Sequence, residues 1–166
     1  EHGLRHAGYH AMNTLRMEAG YRHWGHDITD EDTPLEAGRG FALAWDKEGG
    51  FRGRDALLAV RELPKMKRLI TFRLEDPDRL VYHDEPILRN GEVVGRSTSG
   101  MWSYTEGRAL VMGYVTPLDG DETGAGGVTK QWLEDGEFAI EVAGEVIEAT
   151  PSIRSFYDPK NERVRL

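Results

Sequence analysis

Glu85-Pro86-Ile87-Leu88-Arg89-Asn90-Gly91-Glu92-Val93-Val94 sets two runs suited to extended backbone on either side of Asn90-Gly91. Both central positions of a two-residue hairpin turn need φ > 0, which asparagine tolerates and glycine adopts freely, so this dipeptide is the strongest short-range signal for antiparallel pairing. The pattern recurs to either side. Lys67 to Leu74 is short, β-branched and aromatic and predicts a strand, as does Arg108 to Val115. Glu137 to Val142 and Val146 to Ala149 across Ala143-Gly144 predict a last hairpin. Short strands joined by turns, without clear intervening helices, point to a sandwich or barrel. Between them, Leu118 to Gly127 has the glycine-rich, acidic composition of a mobile loop.

Before Pro64 the signal differs. Leu4, Ala7, Ala11 and Leu15 recur at three- and four-residue steps and predict a helix from about Leu4 to Met17, with Ala19-Gly20 as its stop and Glu18 at its end. Asp27 to Pro34 is an acidic loop. Phe41-Ala42-Leu43-Ala44-Trp45 predicts a short buried strand and Gly49 to Gly53 a turn. Ala56, Leu57, Val60 and Leu63 then lie at helical spacing over Arg54 to Leu63, with Pro64 ending the helix. The class is α+β: residues 1–64 form the tail of an α+β domain, and residues 65–166 an antiparallel β-barrel or jelly-roll-like domain.

Composition narrows the chemistry. The 166 residues carry a net charge of −8, against a nucleic-acid footprint, which needs a basic surface. The absence of cysteine excludes disulfides and thiolate metal sites. No apolar run is long enough for a membrane-spanning helix, and the compartment stays open. No Gly-x-Gly-x-x-Gly fingerprint marks a dinucleotide site. His2, His6 and His10 share a helical face, and His23 and His26 flank Trp24-Gly25, but the His-Glu-x-x-His arrangement is missing, so they read as surface residues. Asp30 and Asp32 alternate as in a calcium loop without the glycine and glutamate that complete one. Ser97-Thr98-Ser99-Gly100 lacks the Gly-x-Ser-x-Gly form of a nucleophile elbow. No catalytic nucleophile and no metal ligand is assigned.

Leu15-Arg16-Met17-Glu18-Ala19-Gly20, followed by Gly25-His26-Asp27-Ile28 and Thr33-Pro34-Leu35-Glu36-Ala37-Gly38, resembles the folate-binding segment of the aminomethyltransferase (glycine-cleavage T-protein) family. Ala11 to Glu18 with Tyr21-Arg22-His23-Trp24-Gly25 is most similar to the C-terminal part of dimethylglycine and sarcosine dehydrogenases. Phe51 to Leu57, Val94 to Gly100 and Met112 to Val115 resemble the family's later signatures, in the same order and at compatible spacings.

The resemblance implies a C-terminal portion of a folate-dependent one-carbon enzyme, flavin-linked, that captures an oxidised N-methyl group as 5,10-methylene-tetrahydrofolate. Residues 1–64 would then be the tail of a folate-binding domain. It also implies that the catalytic Asp, most of the folate pocket and any FAD lie in an N-terminal part outside this chain, which would be its partner, and that this piece alone is inactive. Glu18 falls where the family holds the pterin ring: a carboxylate can accept the ring NH and the exocyclic amine together. Lys47 falls where glycine-cleavage members carry a folate-contacting Arg, with the charge kept and the planar fork lost. Tyr157 matches a C-terminal pocket Tyr. The serine-rich Ser97 to Gly100 becomes a barrel turn near the folate site, and His26-Asp27 part of a structural "G-x-D" tract. Two alternatives stay open: a flavin-independent aminomethyltransferase or demethylase, and a non-catalytic lid or interaction module with Glu18 merely exposed.

Overall fold

The computed structural model describes residues 2–163. Its centre is a closed six-stranded antiparallel barrel. The strands are β1 (Arg68–Leu74), β2 (Pro86–Arg89), β3 (Glu92–Ser103), β4 (Arg108–Val115), β5 (Phe138–Val142) and β6 (Glu145–Ser152). They run around the barrel in the order β1-β4-β3-β2-β5-β6, and β6 pairs back onto β1, Thr71 opposite Ser152. The Asn90-Gly91 turn joins β2 to β3 with φ of 52° and 83°, and Ala143-Gly144 joins β5 to β6 with 52° and 82°. Both are the left-handed pair that the hairpin reading requires.

Alternation along the strands separates two apolar clusters. Ile70, Phe72 and Leu74 of β1 point inward with Val111 and Val115 of β4, Ile87, Ile140 and Ile147, and fill the barrel interior. Leu69, Leu110 and Met112 point outward, yet they are buried as well, because helix α1 (Tyr9–Ala19) covers them with Met17. Burying Met17, 1% exposed, contributes roughly 1.5–3 kcal/mol and docks the helix on β3 and β4. A Schellman motif ends α1: Gly20 takes φ 71°, its N–H donates to Met17 O at 3.1 Å and Tyr21 N–H to Arg16 O at 2.8 Å.

Several elements differ from the sequence reading. Helix α1 begins at Tyr9, so Leu4 and Ala7, with His2 and His6, precede it. Its apolar periodicity also pointed to the wrong face: Leu15 and Met12 are exposed, whereas Asn13, Thr14, Met17 and Glu18 are buried. Hydrogen-bonding partners on the barrel outweigh hydrophobicity at that contact. Phe41 to Trp45 is no buried strand. A 3₁₀ turn spans Gly40–Ala42, and Phe41 is 80% exposed. Helix α2 (Arg54–Arg61) stands where expected but buries none of its residues fully. The loop after β4 carries a 3₁₀ turn, Glu122–Gly124, and leads into helix α3 (Lys130–Glu134), which plugs the barrel with Trp132 and Leu133. The buried Arg89 anchors this stretch: it donates to Trp132 O, lies 4.5 Å from the centre of the Trp132 ring and pairs with Asp121 at 3.5 Å. Ser97 to Gly100 is no turn either, but the interior of β3.

Candidate functional site

The last turn of α1 carries two polar anchors on its barrel side. The first is Glu18, 4% exposed. Ser103 Oγ donates to its Oε1 at 2.7 Å, Thr105 N–H to the same oxygen at 3.0 Å, and Thr105 Oγ1 to Oε2 at 2.8 Å. Burial alone would raise the carboxyl pKa. The Thr105 amide and the Ser103 and Thr105 hydroxyls outweigh burial and hold it below its ordinary value of 4.5, so Glu18 is an anion at neutral pH.

The second anchor is Arg16 with Asp27. Their 2.8 Å ion pair is sealed from solvent at Asp27, which is 0% exposed. Asp27 Oδ2 also accepts from His23 N–H at 2.8 Å, and Oδ1 from Thr98 Oγ1 at 2.6 Å. Arg16 further donates to Ser99 Oγ at 2.8 Å and Asn13 Oδ1 at 2.9 Å. Consecutive strand residues normally face opposite sides. A bulge between Ser97 and Ser99 makes Thr98 the extra residue of β3, so Thr98 and Ser99 both reach the helix side. Arg16, Asp27, Thr98 and Ser99 are thus one structural lock across three motifs far apart in sequence.

Of the three expected ligand residues, the structure gathers two elements in one corner. The C-terminal segment passes the end of α1, where a side chain on Gly20 would press on Ser155 at 3.1 Å, and Phe156 packs on the cluster of Met17. Tyr157 follows, half-buried, its hydroxyl accepting from Arg163 at 3.1 Å. Glu106, beside Thr105, pairs with Arg73, whose guanidinium lies over the Phe156 ring at 5.2 Å, which links the surroundings of Glu18 to that segment. Lys47 sits in an exposed turn, its backbone bonded to Ala44 and Gly50. Ser103 and Thr105 were missed by the sequence reading, and Thr98, part of the Val94 to Gly100 signature, was not tied to Asp27. The only trace in the sequence is a pair of hydroxyl residues flanking Tyr104, 85 and 87 positions from Glu18.

Comparison with known proteins bears on this arrangement. Residues 67–158 match the model of the glycine cleavage T-protein C-terminal barrel domain, and residues 1–47 that of the GCVT N-terminal domain. The chain belongs to the glycine cleavage T-protein family. It is 43% identical over 98% of its length to 4-methylaminobutanoate oxidase (formaldehyde-forming) of Paenarthrobacter nicotinovorans, covering 18% of that protein. It is 35% identical over 99% of its length to mouse mitochondrial sarcosine dehydrogenase, covering 17% of it. It is 35% identical over 98% to the mouse mitochondrial pyruvate dehydrogenase phosphatase regulatory subunit, covering 19% of it. The chain therefore spans under a fifth of these relatives. The aminomethyltransferase T structure of Bartonella henselae superposes with a TM-score of 0.65 at 24% identity, over 84% of this chain and 36% of that one, and shares its fold.

Proposed function

We propose that this chain is part of a folate-dependent one-carbon enzyme, of the flavin-linked N-methyl amine dehydrogenase type, with Glu18 as a ligand to tetrahydrofolate and Lys47 and Tyr157 lining the same site. In this reading residues 1–64 are the tail of the folate-binding domain and residues 65–166 the barrel domain. Any flavin, and the acid or base of the reaction, belong to a part of the polypeptide outside this chain. The observation that carries the reading is the ionised, fixed carboxylate of Glu18 inside the Leu15 to Gly20 motif.

The residues fit the group in part. An ionised carboxylate offers about four acceptor positions, and barrel groups take three of Glu18's. The Tyr104 amide lowers its pKa as well, and Glu18 is only 4% exposed, so a donor of the ring reaches the carboxylate when the Thr105 hydroxyl rotates away. Bound tetrahydrofolate would supply the nitrogen that accepts the one-carbon unit. Glu18's part is to orient the ring, an entropic contribution rather than a bond-making one.

The test is calorimetric titration of tetrahydrofolate into the chain and its Glu18→Gln variant, which keeps the side-chain volume and the Ser103 contact and removes the charge. Saturable binding weakened by the substitution supports the role. Binding that Glu18→Gln leaves unchanged would sink it. A second reading has support from the regulatory-subunit relative: a non-catalytic interaction module. It predicts no tetrahydrofolate binding in the chain or in the longer polypeptide, and no effect of Glu18→Gln on turnover there.

A further inference from the structure

Beyond Glu18, the C-terminal end of α1 holds two guanidinium groups, Arg22 and Arg39, with no counter-ion among the described residues. Arg22 and Arg39 both donate to the carbonyl of Gly20, Arg39 Nη2 at 3.0 Å. Among the described residues neither has a carboxylate within the 4.0 Å of an ion pair, in a chain with 29 acidic and 21 basic residues. The nearby acid, Asp27, is consumed by Arg16, His23 N–H and Thr98. Arg22 Nε is buried with no acceptor, although buried donors are almost always matched. Burial, and next the charge of Arg39, pull the Arg22 pKa down to about 10.

Capping a helix C-terminus with a cation is a common use of arginine, but it explains one guanidinium, not a second set against it. The pair is also held in place. The Arg39 guanidinium lies 5.6 Å from the centre of the Phe41 ring, and Arg22 lies against Gly38, where a side chain would come within 3.6 Å of Nη2. Both residues are only partly buried. Two guanidinium groups that meet on one carbonyl hold further N–H donors beside it, and the group that guanidinium binds with two parallel hydrogen bonds is a carboxylate.

We propose that Arg22 and Arg39 form a carboxylate clamp at the end of α1, a binding site separate from Glu18 that takes one carboxylate group. The group comes either from a small organic acid or from an Asp or Glu side chain of another stretch of protein. The proposal does not depend on the folate reading.

Glutarate and its uncharged analogue glutaramide are titrated into the chain while the Arg Nε–H signals are followed by NMR. Parallel titrations use Arg22→Lys and Arg39→Lys, which keep the charge that caps the helix but lose the fork. The clamp predicts saturable, millimolar glutarate binding that moves the Arg22 Nε–H signal, no such response to glutaramide, and at least tenfold weaker binding in either variant. If Arg22→Lys fails to fold, Arg39→Lys, at the less buried of the two positions, decides. Equal responses to both compounds, no saturation, or undiminished binding in the lysine variants would overturn it. In the longer polypeptide, retained glutarate affinity assigns the site to a small acid, and its loss to a protein carboxylate already seated there.

Discussion

Glu18 and Asp27 are buried carboxylates reached by donors from distant parts of the chain, two and eleven residues from Arg16, yet among the described residues only Asp27 has a cationic partner. Removing one member of such a pair is far more costly than its net contribution, because the other charge stays buried alone. Arg16→Met should therefore destabilise the protein by about 3–5 kcal/mol, measured by urea unfolding. Glu18→Gln leaves no buried charge and should cost only about 1–3 kcal/mol for donors left unmatched on the barrel. A larger loss for Glu18→Gln than for Arg16→Met would contradict the assignment of the lock to Arg16 and Asp27. The motif spelled out which residues matter here, but not what they touch. Ser103 and Thr105 lie too far along the chain for any local pattern to tie them to Glu18.

At the scale of elements, β3 shows how one irregularity serves a contact. Without the bulge at Thr98, the lock would lose either Thr98 or Ser99 to the barrel interior. Beside it, β3 and β4 approach so closely that a Cβ on Gly95 would overlap the Tyr114 carbonyl, and one on Gly113 the Arg96 carbonyl. Glycine at these positions is required by neighbouring backbone rather than by its own φ. Gly95→Ala should lower stability by about 1–3 kcal/mol or more, seen as a reduced denaturation midpoint, whereas Gly91→Ala in the hairpin turn meets open space and should cost about 1 kcal/mol through φ alone. Equal effects would refute the close-approach argument. The hairpin turns and most strand positions were legible because they depend on neighbours in sequence. The helix face of α1 and the supposed strand at Phe41 were misread because exposed Leu15 and Phe41 look like core residues until their surroundings are known.

For the whole molecule, closure depends on the stretch between β4 and β5, which crosses the barrel and inserts Trp132. Asp121 ties it down: the Thr123 hydroxyl, Trp132 Nε1–H at 2.8 Å, the Gly124 amide and the charge of Arg89 lower its pKa from 3.8 to about 2. A depressed carboxyl contributes stability that is complete above its unfolded value and is lost as pH falls through its folded one. The stability difference between the protein and Asp121→Asn should thus be constant above pH 3.8 and shrink as pH falls towards about 2, measured by denaturant unfolding at each pH. A difference independent of pH would show that Asp121 acts only through shape. By itself the sequence determined the family, the antiparallel hairpins and the end of α1, since motif, turn chemistry and the need for φ > 0 are local properties. Only the tertiary structure decided which face of α1 meets the barrel, that Glu18 is held by Ser103 and Thr105, and that Arg22 and Arg39 converge without a counter-ion among the described residues. Those outcomes depend on groups brought together across the chain, where burial and the matching of donors to acceptors outweigh local preference.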